Sequence, residues 1–290
     1  MQAKSILHAQ ASLGEGSLWN PATERLYWVD IEGRALHVFD PATGADRCYP
    51  TGKRIGTVVP KRNGNALVAL QTGIHELDLG TGQLTRLADP VTDEHLRFND
   101  GKCDPAGRFW VGTFDMLLRP HVGTLYRFDA DGSTHIMLRH ITNSNGIAWS
   151  LDRATMYYID TPTLMVQAFD YDNATGAIAN PRIVIRFPEG IGWPDGMTID
   201  AEGKLWVALW GGGAVQRYDP ATGALLAVVQ VSAPFTSSCA FGGSDLRTLY
   251  ITSARGGLSP QQLQEFPLSG DVFAVEPGVR GVPACFFGGL

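Results

Sequence analysis

Six copies of one short pattern recur along the chain about every 45 residues, a period of the kind that marks stacked repeat units. Each copy is an apolar or aromatic pair followed by β-branched or small residues: Leu26-Tyr27-Trp28-Val29, Ala66-Leu67-Val68-Ala69, Phe109-Trp110-Val111-Gly112, Met156-Tyr157-Tyr158-Ile159, Leu205-Trp206-Val207-Ala208 and Leu249-Tyr250-Ile251-Thr252. The second residues stand at 27, 67, 110, 157, 206 and 250, so the intervals are 40, 43, 47, 49 and 44. A turn follows a second strand in each unit: Asp40 to Gly44, Leu79 to Gly82, Asp129 to Gly132, Asp172 to Gly176 and Asp219 to Gly223, with a degenerate sixth near Glu276 to Gly278. Asp caps such turns and Gly supplies the positive φ. A third strand follows the turn, as in Ile183 to Phe187 and Leu225 to Val231.

No 15-residue window sustains i, i+3, i+4, i+7 apolar spacing, so the pattern predicts little helix. The 34 glycines among 290 residues, with only 18% charged side chains, fit many short strands joined by tight turns. Together these features predict an all-β protein, a single six-bladed β-propeller domain over residues 1–290. The N-terminal strand, Ser5 to Ala11, is expected to close the ring beside Val272 to Val275. A pair of β-sandwiches does not account for six evenly spaced copies.

Composition excludes several function classes. At 44% hydrophobic the chain has ample core, so disorder is excluded. A net charge of −6 with no basic run makes it a poor nucleic-acid binder. No apolar run reaches the ~20 residues of a membrane helix. Met1 to Ala11 holds one Lys and no signal-length apolar run, so the expected location is cytoplasmic. The four cysteines are scattered and read as free thiols. No obligate protein partner is expected.

Propeller blades line a central channel with their first strands. Counting back 11 or 12 positions from each landmark gives Glu15, Ile55 or Gly56, Asn99, Asn145, Asp195 and Ser238. Four blades thus place a hard oxygen ligand at matching positions. Taken singly, Asn-Gly and Asp-Gly are turn dipeptides; the shared register is what points to a site. Two carboxylates and one amide carry −2, which a single divalent cation neutralises, and oxygen ligation suits Ca²⁺, Mg²⁺, Mn²⁺ or Zn²⁺. The seven histidines show no HxH or HExxH spacing, and no GxSxG elbow is present.

The segment Arg97 to Thr113 (RFNDGKCDPAGRFWVGT) resembles the hallmark of the gluconolactonase/regucalcin family of sugar lactonases. So do Leu13 to Trp19 (LGEGSLW), Ser144 to Ser150 (SNGIAWS), Pro194 to Asp200 (PDGMTID), Cys239 to Gly243 and Thr252 to Arg255. The resemblance covers nearly the whole chain. It implies a six-bladed propeller with one divalent metal at the channel mouth and hydrolysis of a sugar lactone, such as glucono-1,5-lactone or a pentonolactone, to the aldonic acid. By the same resemblance Glu15, Asn145 and Asp195 hold the metal, Arg97 and Asn99 contact substrate, and Asp195 is the general base. One departure stands out: a substrate-contacting Glu of regucalcin-like members is replaced by Leu117, in a shorter loop up to Gly123. Two other functions fit the scaffold: a non-catalytic calcium-responsive or protein-binding propeller, and a broader esterase or phosphotriesterase using the same metal.

Overall fold

The computed structural model describes residues 1–288, and antiparallel strands dominate it. Four sheets have four strands each. The first joins β2 (Gly14–Asn20), β3 (Arg25–Asp30), β4 (Ala35–Asp40) and β5 (Ala45–Pro50); the second joins β6 (Ile55–Pro60), β7 (Ala66–Leu70), β8 (Gly73–Leu77) and β9 (Leu84–Ala88). The third holds β10 (Leu96–Cys103), β11 (Phe109–Asp115), β12 (Gly123–Phe128) and β13 (Thr134–Ile141). The fourth holds β14 (Ser144–Trp149), β15 (Thr155–Asp160), β16 (Met165–Asp172) and β17 (Ala177–Arg186).

A fifth sheet has eight strands. One run is β18 (Trp193–Ile199), β19 (Leu205–Trp210), β20 (Ala214–Tyr218) and β21 (Leu225–Gln230). The other is β22 (Phe235–Gly242), β23 (Thr248–Ala254), β24 (Val272–Val275) and β1 (Lys4–Leu7). In the ladder the two runs are joined at the pair Trp210 and Phe235, whose rings stack at 4.3 Å. Many small antiparallel sheets and a single α-helix of six residues among those described, Pro260–Glu265, fit a propeller. The N-terminal pairing partner is as expected, but the paired segment is Lys4–Leu7, with Lys4 opposite Ala274 and Leu7 opposite Val272. The third strand expected over Ile183 to Phe187 is longer, Ala177–Arg186.

Burial explains the sheet order. In the four-stranded sheets, first strands such as β2, β6 and β14 are buried along their length, while β5, β9 and β17 are largely exposed. Each landmark pair lies on a second strand, and Trp28, Trp110 and Trp206 are fully buried between sheets. Trp110, for example, packs edge-on against Trp149 and Tyr171 of the next sheet. Two of these indoles are also tied by hydrogen bonds. Asp104 accepts from Trp110 Nε1 at 2.9 Å, and Asp200 accepts from Trp206 Nε1 at 2.9 Å, each carboxylate also capping the turn that follows it. The outer turns behave as the sequence predicts: Asp40, Asp78, Asp172 and Asp219 accept from backbone N–H groups two residues on, and Gly44, Gly82, Gly176 and Gly223 take φ of 70 to 79°.

The six first strands β2, β6, β10, β14, β18 and β22 each contact the next, and β22 returns to β2. Every one of them slips register once against its second strand: at Glu15/Leu18, Ile55/Thr57, Phe98/Gly101, Asn145/Ile147, Pro194/Met197 and Thr236/Ser238. Such bulges re-aim a side chain out of the ladder.

Candidate active site

The bulges decide what reaches the middle of the ring. Glu15, Asn99, Asn145 and Asp195 all fall at them, and these four residues with Arg97 line one pocket of about 360 Å³. All five are buried. The glycines after Asn145 and Asp195 are not turn residues. A Cβ on Gly146 would sit 2.7 Å from the Asp195 carbonyl oxygen, and one on Gly196 would sit 2.6 Å from Ser238 Oγ. They are glycines because neighbouring first strands approach that closely. Gly56 meets the backbone of Phe98 in the same way, which leaves the second unit without a side chain here. Ser238 does not line the pocket; at that bulge Ser237 donates to the Gly14 carbonyl instead.

Hydrogen bonds order the amides. Arg97 Nη1 donates to Asn99 Oδ1 at 2.6 Å and to the Phe98 carbonyl at 3.0 Å, and its guanidinium lies 4.7 Å from the Phe114 ring centroid. Asn99 Nδ2 donates to the Ser144 carbonyl at 2.7 Å and to Asn145 Oδ1 at 3.0 Å. Asn145 Nδ2 donates to Thr161 Oγ1 at 2.7 Å, and Thr161 donates to the Pro194 carbonyl at 2.8 Å. The relay fixes which end of each amide is oxygen. Asp30 and Asp160, at the ends of β3 and β15, accept from the backbone N–H groups of Leu13 and Asn143 and so anchor the strands two residues before Glu15 and Asn145.

The carboxyls are less comfortable. Glu15 and Asp195 lie within hydrogen-bonding reach of each other. Burial, with Asp100 nearby, pushes Glu15 up to about 8, and burial together with Glu15 carries Asp195 well above the usual carboxylate range. Burial lowers Arg97 to about 10, so it stays charged. Among the described residues Asp195 Oδ1 is buried with no hydrogen-bond partner. A buried acceptor left so is costly unless something else fills it. Two repelling carboxylates, one orphaned oxygen and a neighbouring amide oxygen are a donor set that fits a hard divalent cation. Among the described residues no group of three His, Cys, Asp or Glu side chains clusters; here the third oxygen donor is an amide.

Sequence reasoning did not single out Leu13, Asn143, Thr161, Phe114, Trp193 or Trp210, which also line the pocket. A signal existed for three of them. Leu13, Asn143 and Trp193 each stand two residues before a bulge residue, as Arg97 stands before Asn99, and so share its strand face. Thr161 lies beyond the end of a second strand, where no register argument reaches. Leu117 lies off the pocket, 55% exposed beside Leu118, on a turn where Arg119 ties back to Asp115 and Asp93.

An all-β chain of small antiparallel sheets, with a buried acid–amide pocket at the meeting of its first strands, defines a narrow class. Residues 13–255 match the SMP-30/Gluconolactonase/LRE-like region, and the chain belongs to that family. It is 38% identical over 290 residues to YvrE of Bacillus subtilis (strain 168), provisionally named a sugar lactone lactonase, covering all of this chain and 99% of that one. It is 39% identical over 289 residues to regucalcin of Danio rerio, covering 98% and 97%. The structure of a calcium-binding protein, regucalcin, from Agrobacterium tumefaciens superposes with a TM-score of 0.94 at 29% identity, covering 98% of this chain and 97% of that one. Among the described residues no helix is long and apolar enough to cross a membrane.

Proposed function

We propose that this chain is a metal-dependent sugar lactonase built on a single six-bladed propeller, with Glu15, Asn145 and Asp195 holding one divalent cation. The six-unit reading rests on the closed circuit of contacts among β2, β6, β10, β14, β18 and β22, and ring closure rests on the β1–β24 pair. The activity reading rests on family membership and on the name of YvrE. The observation that carries the site is the buried Glu15–Asp195 pair with Asp195 Oδ1 unpartnered.

When bound, the cation supplies Lewis acidity for the lactone carbonyl and for water, and its charge lets both carboxyls ionise. Asp195 accepts the proton of the attacking water as the water oxygen bonds to the carbonyl carbon. It returns that proton to the ring oxygen as the acyl C–O bond breaks, releasing the open-chain acid. Base assistance of this kind is worth about 10²–10⁴ in rate. Among the described residues the hydrogen bonds of Arg97 run through Nη1, so Nε and Nη2 can donate to substrate hydroxyls. Asn99 holds Arg97 and Asn145 at a fixed separation, which keeps substrate and reacting centre in register. Phe114, Trp193 and Trp210 give the pocket an apolar wall for a sugar ring face.

The test is a panel of hexono- and pentonolactones followed by proton release, with chelator-stripped protein and protein reconstituted with Ca²⁺, Mn²⁺, Zn²⁺ or Mg²⁺. The expected result is loss of turnover on stripping and recovery with at least one cation. Full activity in stripped protein refutes the metal-dependent reading, and inactivity on every lactone refutes the lactonase reading.

A further inference from the structure

A second cavity lies at the opposite ends of the same strands. It encloses about 540 Å³ and shares no lining residue with the candidate active site. Where that site takes Glu15, Asn99, Asn145 and Asp195, this cavity takes Trp19, Lys102, Trp149 and Ile199, each further along the same strand. Its outer wall is the segment 282–286, which belongs to a tail crossing that face. The tail is held by the bonds from Gly281 N to the Leu246 carbonyl, Phe287 N to the Pro60 carbonyl and Gly288 N to the Gly107 carbonyl.

The lining combines an apolar body with one sign of charge. Trp19, Trp149, Phe241 and Phe286 supply broad apolar faces, while Arg62, Lys102 and Arg153 are the charged residues, with no Asp or Glu among the lining. In a chain with 29 acids against 23 Lys and Arg, Lys102 and Arg153 with no Asp or Glu among the described lining residues run against composition. Lys102 Nζ donates to the Met197 carbonyl at 2.8 Å, one bond for a group with three donors. Burial pulls its pKa down while Asp100, two residues back on β10 and outside the lining, pulls it up. The Arg62 guanidinium lies 5.2 Å from the Phe286 ring centroid. A half-buried ammonium in such a wall is costly, and an anion in the cavity offsets the cost.

We propose that this cavity binds an amphipathic organic anion, with an aromatic or short aliphatic body between Trp19, Trp149, Phe241 and Phe286 and a carboxylate against Lys102. Its volume is within the ~300–1,000 Å³ usual for small-molecule sites. Arg153, on the exposed turn after β14, adds positive charge at the mouth.

The test is calorimetric titration of the full chain with octanoate and, separately, with uncharged 1-octanol. Saturable octanoate binding is expected, at least about tenfold tighter than octanol, as one charge-assisted hydrogen bond supplies. Lys102→Met should weaken octanoate about tenfold or more and leave octanol unchanged. Arg153→Glu, on the exposed turn, should also weaken octanoate, and it keeps the test open should Lys102→Met fail to fold. Asp195→Asn should bind octanoate like the parent, which separates this site from the lactonase reading. The proposal is overturned by no saturable binding up to about 10 mM, by equal affinity for octanoate and octanol, by parent affinity in whichever of Lys102→Met and Arg153→Glu fold, or by loss of binding in Asp195→Asn.

Discussion

Asn145 can ligate a cation only through Oδ1, and Thr161 determines where that oxygen points by accepting from Nδ2. Thr161→Val removes the acceptor without changing shape. It should cost about 10–100-fold in cation affinity, as loss of an outer-shell partner does, while chemical denaturation stays near that of the parent. Glu15 gives a sign that can be checked without substrate. Its native carboxyl keeps its proton up to about pH 8, whereas an unfolded one loses it near 4.5. Between those values the native state of cation-free protein binds more protons, so its stability falls as pH rises. Melting in chelator should therefore drop between about pH 5 and 8, and added cation should restore it with release of protons. A flat profile would contradict the buried pair. Asp195→Asn removes one of the repelling carboxyls. Turnover should fall about 10²–10⁴-fold, while the melting temperature in chelator stays level or rises, the trade expected where function holds a strained site.

The bulge is the element that turns a repeat into a site. A regular strand would point every second residue into the sheet interface; the slip recurs in all six first strands, and in four of them it coincides with a side chain that lines the pocket: Glu15, Asn99, Asn145 and Asp195. This also accounts for what the sequence disclosed. Counting from the landmark pairs reached Glu15, Asn99, Asn145 and Asp195 because the interval, bulge included, varies by only one residue, 11 or 12. It did not reveal that Gly146 and Gly196 sit in strands, because an Asn-Gly or Asp-Gly pair looks the same in a turn as at a close strand approach. Nor could it find Thr161, whose place depends on how β15 meets the next sheet. Gly146→Ala tests the packing argument. Its new Cβ would lie 2.7 Å from both the Asp195 carbonyl oxygen and Met197 Cβ, so unfolding in urea should show a loss of about 1–3 kcal/mol, with cation affinity falling as Asp195 shifts.

At the scale of the whole molecule, the site needs first strands that lie far apart in sequence to meet. Glu15 and Asp195 are 180 residues apart, yet each is held within reach of the other by its neighbours around the circuit. Removing Lys4–Leu7 would expose the β24 edge, an open template for other chains. A chain lacking residues 1–9 should unfold earlier and aggregate on heating, read by scanning calorimetry with light scattering. The all-β class and its many short antiparallel strands were legible because the buried second-strand pattern recurs along the chain. The fusion of the last two units through Trp210 and Phe235 was not, since no local pattern marks a single bridging pair.

The most direct measurement is an anomalous-difference map from crystals soaked in Mn²⁺, collected on the parent and on Asp195→Asn. The account predicts one strong peak in the parent bounded by oxygens of Glu15, Asn145 and Asp195 at roughly 2.0–2.4 Å, lost or much weakened in the variant. A peak elsewhere, or none at that site in crystals of protein that hydrolyses lactone, would contradict it.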